Sequence, residues 1–257
     1  MLFDWLLRPI RHARRASLLA EPFPGEWLPT VERLPFYRSL DERGQQRIRD
    51  DLRVLVAEKN WEGCGGLELN DEIRVSIAAQ ASLLLLNIEH EYYRHVTSIL
   101  VYPAAYKTMP SQGADGLVRE GQANLGEAWK RGPVILSWDD ARHGALDPKD
   151  GHNLVFHEFA HKLDMLDGSA DGSQPIADKE LFQRWVATMT AEFTALRNAA
   201  ERGRATVLDT YGATNAAEFF AVSTECFFEK SRQLQKKHPA LYDVLRDYYH
   251  QDPASRQ

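Results

Sequence analysis

The spacing of apolar positions predicts helices in the first third of the chain. Apolar residues recur near helical spacing in RIRDDLRVLVAEKNW (47–61), and Ser39 or Asp41 is a plausible cap before it. A second helix is predicted over about 71–90, and its residues are apolar on most sides, so we expect it to be central. Residues 22–35 contain four prolines and are expected to be extended or turn-rich.

The pattern changes in the middle of the chain. TSILVYPAAY (97–106) and PVILSW (133–138) are β-branched or apolar runs bounded by Pro and Gly, which predict strands. PVILSW is either an edge strand that pairs with an extended substrate or an ordinary core strand, and its composition suits both. A Gly-rich polar stretch (111–132) between the two runs suits a hairpin or a longer excursion.

The helical period returns from about residue 150. DGSADGSQP (167–175) is expected to be a loop. Further helices are predicted over 178–200, 216–233 and 238–249. The order of helices, a few strands and helices again indicates an α+β fold.

Composition narrows the class of protein. The 257 residues are 44% hydrophobic and 26% charged, as in a globular protein, and the net charge of −6 argues against direct nucleic-acid binding. Two cysteines make a disulfide framework improbable and suit a reducing cytoplasm. The longest apolar stretch, 77–88, contains Gln80, Ser82 and Asn87, so we expect no transmembrane segment.

The first residues, MLFDWLLRPIRHARR, have an apolar run followed by basic residues, unlike a secretory signal. They suit an amphipathic helix on the protein body or on a membrane surface, and we favour a packed or disordered arm. We therefore predict an N-terminal arm (1–35), one domain (36–250) and a short tail (251–257). Within the domain we expect a helical part (36–95) and a core that carries the chemistry (96–250).

A His-Glu-x-x-His pentad lies in the predicted helix that begins near residue 154. His157 and His161 are one turn apart, so both imidazoles can reach one metal ion at about 2 Å. Glu158 points to the same side and could take a proton from a water molecule there. The alternative is an ordinary solvated helix face, since the opposite side carries the apolar residues Val155, Phe156, Phe159, Ala160, Leu163 and Leu166.

A catalytic zinc ion needs a third protein ligand and an open position. Glu218, Glu225 and Glu229 form one stripe at helical spacing, on a predicted helix rich in phenylalanine. Such a helix is expected to be buried, and buried carboxylates need a partner such as a metal ion. An outward-facing acidic stripe is the alternative for Glu225 and Glu229. Spacing alone does not choose among the three glutamates.

The segments HEFAHKLDMLDG and YGATNAAEFFA resemble the zinc peptidase family of bacterial Mlc titration factor A. The second segment is also similar to the protease domain of anthrax lethal factor. ILVYP (99–103), GPVILSWDDA (132–141) and DGHN (150–153) fit the same family, so the resemblance covers roughly 40–250. It implies a zincin-like metallopeptidase core with one zinc ion.

The resemblance also implies roles for particular residues. His157 and His161 match the family's histidine ligands, Glu158 matches the general base, and Glu218 matches the third ligand. Tyr211, in TYGATN, matches a tyrosine that can stabilise the oxyanion, although it could also be a packed aromatic residue.

One departure concerns Val222, where the lethal-factor segment has an acidic residue one turn after the ligand. Any supporting role for a carboxylate at that position is therefore expected to be absent here.

Two functions follow from the resemblance. The first is a cytoplasmic zinc peptidase, acting on internal bonds or as an aminopeptidase, with a peptide or protein as substrate. The second is a regulatory protein that binds and sequesters a sugar-responsive transcriptional repressor, with or without proteolysis. A purely structural zinc ion is a third alternative, and it would need a fourth protein ligand.

Overall fold

The computed structural model of this chain describes residues 4–104, 132–165 and 176–256, with side chains from residue 8 onwards. Most of these residues are helical, and a small parallel sheet completes an α+β architecture. Residues 111–131 of the Gly-rich stretch and the predicted loop 167–175 lie outside the described residues. The helices are α1 (Asp4–Ala20), α2 (Leu28–Glu32), α3 (Pro35–Ser39), α4 (Glu42–Glu58), α5 (Asp71–Leu85), α6 (Trp138–Leu146), α7 (Leu154–Asp164), α8 (Lys179–Glu201), α9 (Ala216–Glu229), α10 (Ser231–Lys237) and α11 (Pro239–Tyr249).

The sheet contains β1 (Asn60–Gly63), β2 (Ser98–Tyr102) and β3 (Val134–Ser137), in the order β1-β2-β3 with both pairings parallel. The strands predicted within 97–106 and 133–138 are confirmed over shorter ranges. Among the described strands β3 is at an edge, and it packs beside α7. Strand β1 was not predicted, because NWEG contains one apolar residue and lies directly after a long helix.

The expectation that residues 22–35 are extended or turn-rich is correct for 22–27 and wrong for the helical residues that follow. A 3₁₀ turn (Gly25–Trp27) is followed by α2, and α3 begins at Pro35. Pro29 and Pro35 lie in the first turns of these helices, where a missing backbone N–H removes no helical hydrogen bond. Pro29 and Pro35 therefore start helices instead of interrupting them.

Helix α5 is central, as predicted, although it ends at Leu85 instead of near residue 90. Every residue from Val75 to Leu85 is buried, and the helix packs between α4 and α7. Its buried polar groups have partners: Ser82 Oγ donates to the carbonyl of Ala78 at 2.7 Å, and Gln80 Nε2 donates to that of Ala141 at 3.2 Å. These bonds offset the desolvation of polar groups inside a helix-packed core.

Helix α1 packs on α4 through an ion-pair network. The Arg15 guanidinium donates to Glu58 at 2.7 and 2.9 Å and to Glu91 at 3.0 Å. Its carbon lies 4.5 Å from the centre of the Tyr92 ring, a cation–π contact. From residue 8 onwards the N-terminal arm is therefore packed on the body of the protein. Across the described parts of the chain, each helix is too short or too polar to cross a lipid bilayer.

Candidate metal centre

Helix α7 carries the pentad and begins at Leu154, as predicted, with Asn153 as its N-cap. The Asn153 side chain accepts a hydrogen bond from the backbone N–H of Phe156 at 2.9 Å, which caps the helix. Val155 and Phe159 are fully buried, and the Phe159 ring packs edge-on against Tyr93 at 4.7 Å between centroids. Burying these residues fixes the rotation of α7, so that the two histidines face the opposite side.

Helix α9 lies against α7 and brings in the acidic stripe. It begins at Asn215, whose side chain accepts a hydrogen bond from the backbone N–H of Glu218 at 3.0 Å. Glu218 therefore lies in the first turn of the helix, next to its positive dipole end. The cap and the aromatic packing behind it hold this carboxylate towards the histidines.

Three side-chain atoms converge between the two helices. The Nε2 of His157 lies 3.0 Å from the Oε2 of Glu218 and 3.1 Å from the Nε2 of His161. The Nε2 of His161 lies 3.4 Å from the same Glu218 oxygen. Ligand atoms placed tetrahedrally at about 2 Å from zinc would be about 3.3 Å apart. The triangle therefore has the size and donor chemistry of three zinc ligands.

Contacts within the triangle shift the pKa values of Glu218 and His157. Burial opposes ionisation of Glu218, but hydrogen bonds from His157 and His161 lower its pKa to about 2. Burial opposes protonation of His157, but its hydrogen bonds to Glu218 and Glu225 raise its pKa to about 10. The proton shared between His157 and the carboxylates supplies positive charge at this position. A metal ion that bound here would displace the proton and supply that charge instead.

Glu158 lies on the same side of α7 and is partly buried. Burial raises the pKa of its carboxyl group, and the nearby histidines oppose that rise. A carboxylate with a raised pKa is a stronger proton acceptor than one in open water. The position and environment of Glu158 therefore suit a general base.

Tyr211 is carried by a 3₁₀ turn (Thr210–Ala213) immediately before α9. Asp209 caps this turn by accepting from the backbone N–H of Tyr211 at 2.8 Å. The Tyr211 ring lies 6.0 Å from the His157 ring between centroids and is 55% exposed, so it is not a packed core residue. Burial and the negative charges of Glu218 and Glu158 raise the pKa of its hydroxyl, which stays protonated and able to donate.

A cleft of about 430 Å³ opens in front of these residues. Its size is within the range of ligand pockets in proteins. Three predicted site residues, His157, Glu158 and Tyr211, line the cleft, and most of its other lining residues have titratable side chains. The cleft is lined by Asp140, His143, His152, Asn153, Leu154, His157, Glu158, Asp209, Tyr211, Val222 and Glu225.

Glu225 is the contact that sequence reasoning missed. Its Oε1 lies 2.7 Å from the Nδ1 of His157, and its Oε2 accepts from the backbone N–H of Asn153 at 2.6 Å. The carboxylate absent at Val222 is thus present one turn later on the same helix. The signal available in the sequence was the spacing of seven residues between Glu218 and Glu225, which places both on one face of α9.

Glu229, one turn further, is also buried, with 4% exposure. Its Oε1 accepts from the Nδ2 of Asn153 at 3.1 Å. Burial, reinforced by the carboxylates of Asp150 and Glu225, raises the pKa of Glu229 to about 9. The alternative of an outward-facing acidic stripe is therefore wrong for both Glu225 and Glu229.

The raised pKa of Glu229 predicts a pH-dependent stability. The folded protein keeps a proton on Glu229 up to about pH 9, whereas the unfolded chain loses it near pH 4.5. The free energy of unfolding should therefore fall as pH rises through this window. Glu229→Gln has no titrating group at this position, so its stability should not fall for this reason. The free energy of unfolding of the variant minus that of the parent should therefore increase from pH 5 to pH 8. Urea unfolding at both pH values measures the difference, and a difference that is independent of pH would contradict the expectation.

Comparison with known proteins gives a consistent picture. The family model of the glucose-regulated metallo-peptidase M90 matches residues 10–250. An uncharacterized protein of Synechocystis sp. is 40% identical over 244 residues, covering 93% of this chain and 89% of the relative. Mlc titration factor A of Serratia proteamaculans is 32% identical over 250 residues, covering 95% and 92%. Mlc titration factor A of Yersinia pestis is 30% identical over 228 residues, covering 87% and 83%.

Proposed function

The chain belongs to the glucose-regulated metallo-peptidase M90 family, and from that premise we propose that it is a zinc-dependent peptidase that hydrolyses peptide bonds. The resemblance to Mlc titration factor A drawn from the sequence is correct, and the match extends into helix α1. The observation that carries the proposal is the convergence of two imidazole nitrogens and one carboxylate oxygen within 3.4 Å of each other.

His157, His161 and Glu218 are the proposed ligands of one zinc ion. Two imidazoles and a carboxylate are the donors of many catalytic zinc sites, and three protein ligands leave a position for water or substrate. When bound, zinc would polarise the attacking water and the scissile carbonyl. Among the described residues, two groups of side chains have donor atoms close enough together to hold a metal ion. Only this group contains the pentad histidines.

The remaining steps belong to side chains of this chain. Glu158 takes a proton from a water molecule in the cleft, so that the water can attack the peptide carbonyl. The Tyr211 hydroxyl donates a hydrogen bond to the oxygen on which negative charge develops. Glu158 then delivers its proton to the departing amine, which completes cleavage of the bond.

We further propose a zincin-like core in which β3 guides the substrate. This strand lies beside α7 and has one pairing edge occupied by β2. An extended peptide could add to its other edge by main-chain hydrogen bonds, with the scissile bond near the metal centre. A peptide laid along β3 is expected to run past the face of α7 that carries Glu158.

Metal analysis and a peptidase assay test the proposed function directly. The purified full-length chain should contain or take up one zinc ion per molecule. Hydrolysis of unstructured peptides should stop on treatment with a chelator and return when zinc is added back. A chain that binds no zinc, or that cleaves peptides equally well after chelation, would refute the proposal.

Replacement of Tyr211 by Phe should separate chemistry from metal binding. The variant lacks only the hydroxyl that stabilises the developing charge, so kcat should fall by about a hundredfold with little change in KM. Zinc content and thermal stability should match those of the parent protein, because the ring is exposed and is not a ligand. An unchanged kcat would exclude Tyr211 from the reaction.

A second candidate function is the binding of a transcriptional repressor. It is favoured by the name of two relatives, Mlc titration factor A, which match most of this chain. Such a partner would place the protein in the cytoplasm. A pull-down of purified Mlc repressor with Glu158→Gln protein tests binding separately from proteolysis. Capture of intact repressor would support this role, and failure of both the parent and the variant to capture it would exclude it.

A further inference from the structure

The carboxylate of Glu225 is buried, which costs free energy unless both of its oxygens accept hydrogen bonds. Its side chain is 7% exposed, between α7 and α9. One oxygen faces the Nδ1 of His157 at 2.7 Å, and the other accepts the backbone N–H of Asn153 at 2.6 Å. Both donors belong to the pentad helix α7: Asn153 is its N-cap and His157 lies within it. A buried carboxylate with two short charge-assisted bonds is held firmly in place.

These contacts determine which nitrogen of His157 faces the proposed metal. A carboxylate only accepts hydrogen bonds, so the Nδ1 of His157 must carry the proton. In the metal-free protein the Nε2 also donates, to Glu218. Once a metal ion displaces that proton, the Nε2 is the nitrogen whose lone pair faces the position between Glu218 and His161. Glu225 therefore selects the tautomer that a metal ligand requires at Nε2, and it fixes the plane of the ring.

The anchor of Glu225 is itself rigid. Asn153 caps α7 and donates from its Nδ2 to the Oε1 of Gln80, at 3.0 Å, and to the Oε1 of Glu229. Gly144 allows this close packing, because a Cβ there would lie 2.9 Å from the Asn153 side chain. Gln80, Gly144, Asn153 and Glu229 thus form a frame that joins α5, α6, α7 and α9 around Glu225.

We propose that Glu225 is a positioning residue that holds His157 in the tautomer and orientation needed for zinc binding. This inference rests on the proposed metal site. It also explains why the chain can have Val222 where the lethal-factor segment has an acidic residue, because here the supporting carboxylate comes from the next turn of α9. Glutamine cannot replace it fully, since an amide has one accepting oxygen and would turn its N–H₂ group towards one of the two donors.

The test compares Glu225→Gln and Glu225→Ala with the matched control Glu192→Gln. The control removes a carboxylate of α8 that also contacts the Nδ1 of a histidine, His238 at 2.8 Å, but lies outside the candidate site. Zinc affinity is measured by competition with a chromophoric chelator, and the unfolding midpoint is measured on the metal-free proteins. Both Glu225 variants should bind zinc about 10- to 100-fold more weakly. The control should stay within about twofold of the parent chain.

A spectroscopic readout separates positioning from a general loss of stability. Visible absorption of the cobalt-substituted proteins reports ligand geometry, so the Glu225 variants should shift the cobalt bands and Glu192→Gln should not. Parent-like zinc affinity and cobalt spectra in Glu225→Gln would overturn the proposal, even if Glu225→Ala failed to fold. Failure of the parent chain to bind zinc would instead overturn the proposed function itself, together with this inference.

Discussion

Replacing Glu158 with Gln is expected to reduce peptide hydrolysis by at least about a thousandfold while zinc stays bound. General acid–base catalysis by one side chain contributes about 10²- to 10⁴-fold, and Glu158 serves both as the base and as the acid. Gln has nearly the same shape but cannot accept the proton of the attacking water. The measurement is kcat/KM on an unstructured peptide, with zinc content determined on the same preparations.

A matched control is Glu62→Gln, which makes the same chemical change on an exposed residue of β1. It should leave activity unchanged. Because burial raises the pKa of Glu158, the Glu158→Gln protein should be at least as stable as the parent. Retention of more than about one tenth of the parent activity would be incompatible with Glu158 as the general base.

Replacing Glu218 with Ala is expected to remove zinc binding and, with it, activity. Loss of a residue that supports a ligand weakens metal binding by about 10- to 100-fold, so loss of a proposed ligand should exceed about a hundredfold. The parent protein should gain about 2.7 kcal/mol of stability at a zinc concentration a hundred times the Kd, which raises its unfolding midpoint by about 5–10 °C. The variant should show no such rise.

Calorimetry with and without zinc checks this second expectation. The Glu218 side chain is partly exposed and contacts the two histidines, so the metal-free variant should fold. Asn215 still caps α9 in the variant, because its partner there is a backbone N–H. A zinc-dependent rise equal to that of the parent would remove Glu218 from the proposed ligand set.

Element types were predictable wherever one periodicity was sustained. Helices α4, α5 and α8 and strands β2 and β3 follow from their apolar spacing, and Asp41 caps α4 as one of two predicted candidates. The Pro-rich segment and β1 were not predictable in this way, since each depends on what packs against it. The predicted helix 216–233 is divided at Lys230, which has a non-helical backbone and accordingly ends α9.

The candidate site was predictable only in part, for a physical reason. The pentad is a local pattern, because one helical turn brings its two histidines together. The choice of Glu218 among three glutamates came from the family resemblance, and spacing could not make it. The role of Glu225 depends on the distance between α7 and α9, and the raised pKa of Glu229 depends on burial. Neither the distance between two helices nor the burial of a side chain can be predicted from a local stretch of sequence.

Helix α5 limits how this protein can be dissected. Its Gln80 touches the cap of the pentad helix, and the Tyr93 that follows it packs on Phe159. A truncated chain that starts at residue 96 would strip away this wall and expose the apolar side of α7 to water. We therefore expect such a fragment to aggregate, and the helical half to be part of the catalytic body instead of a dispensable module.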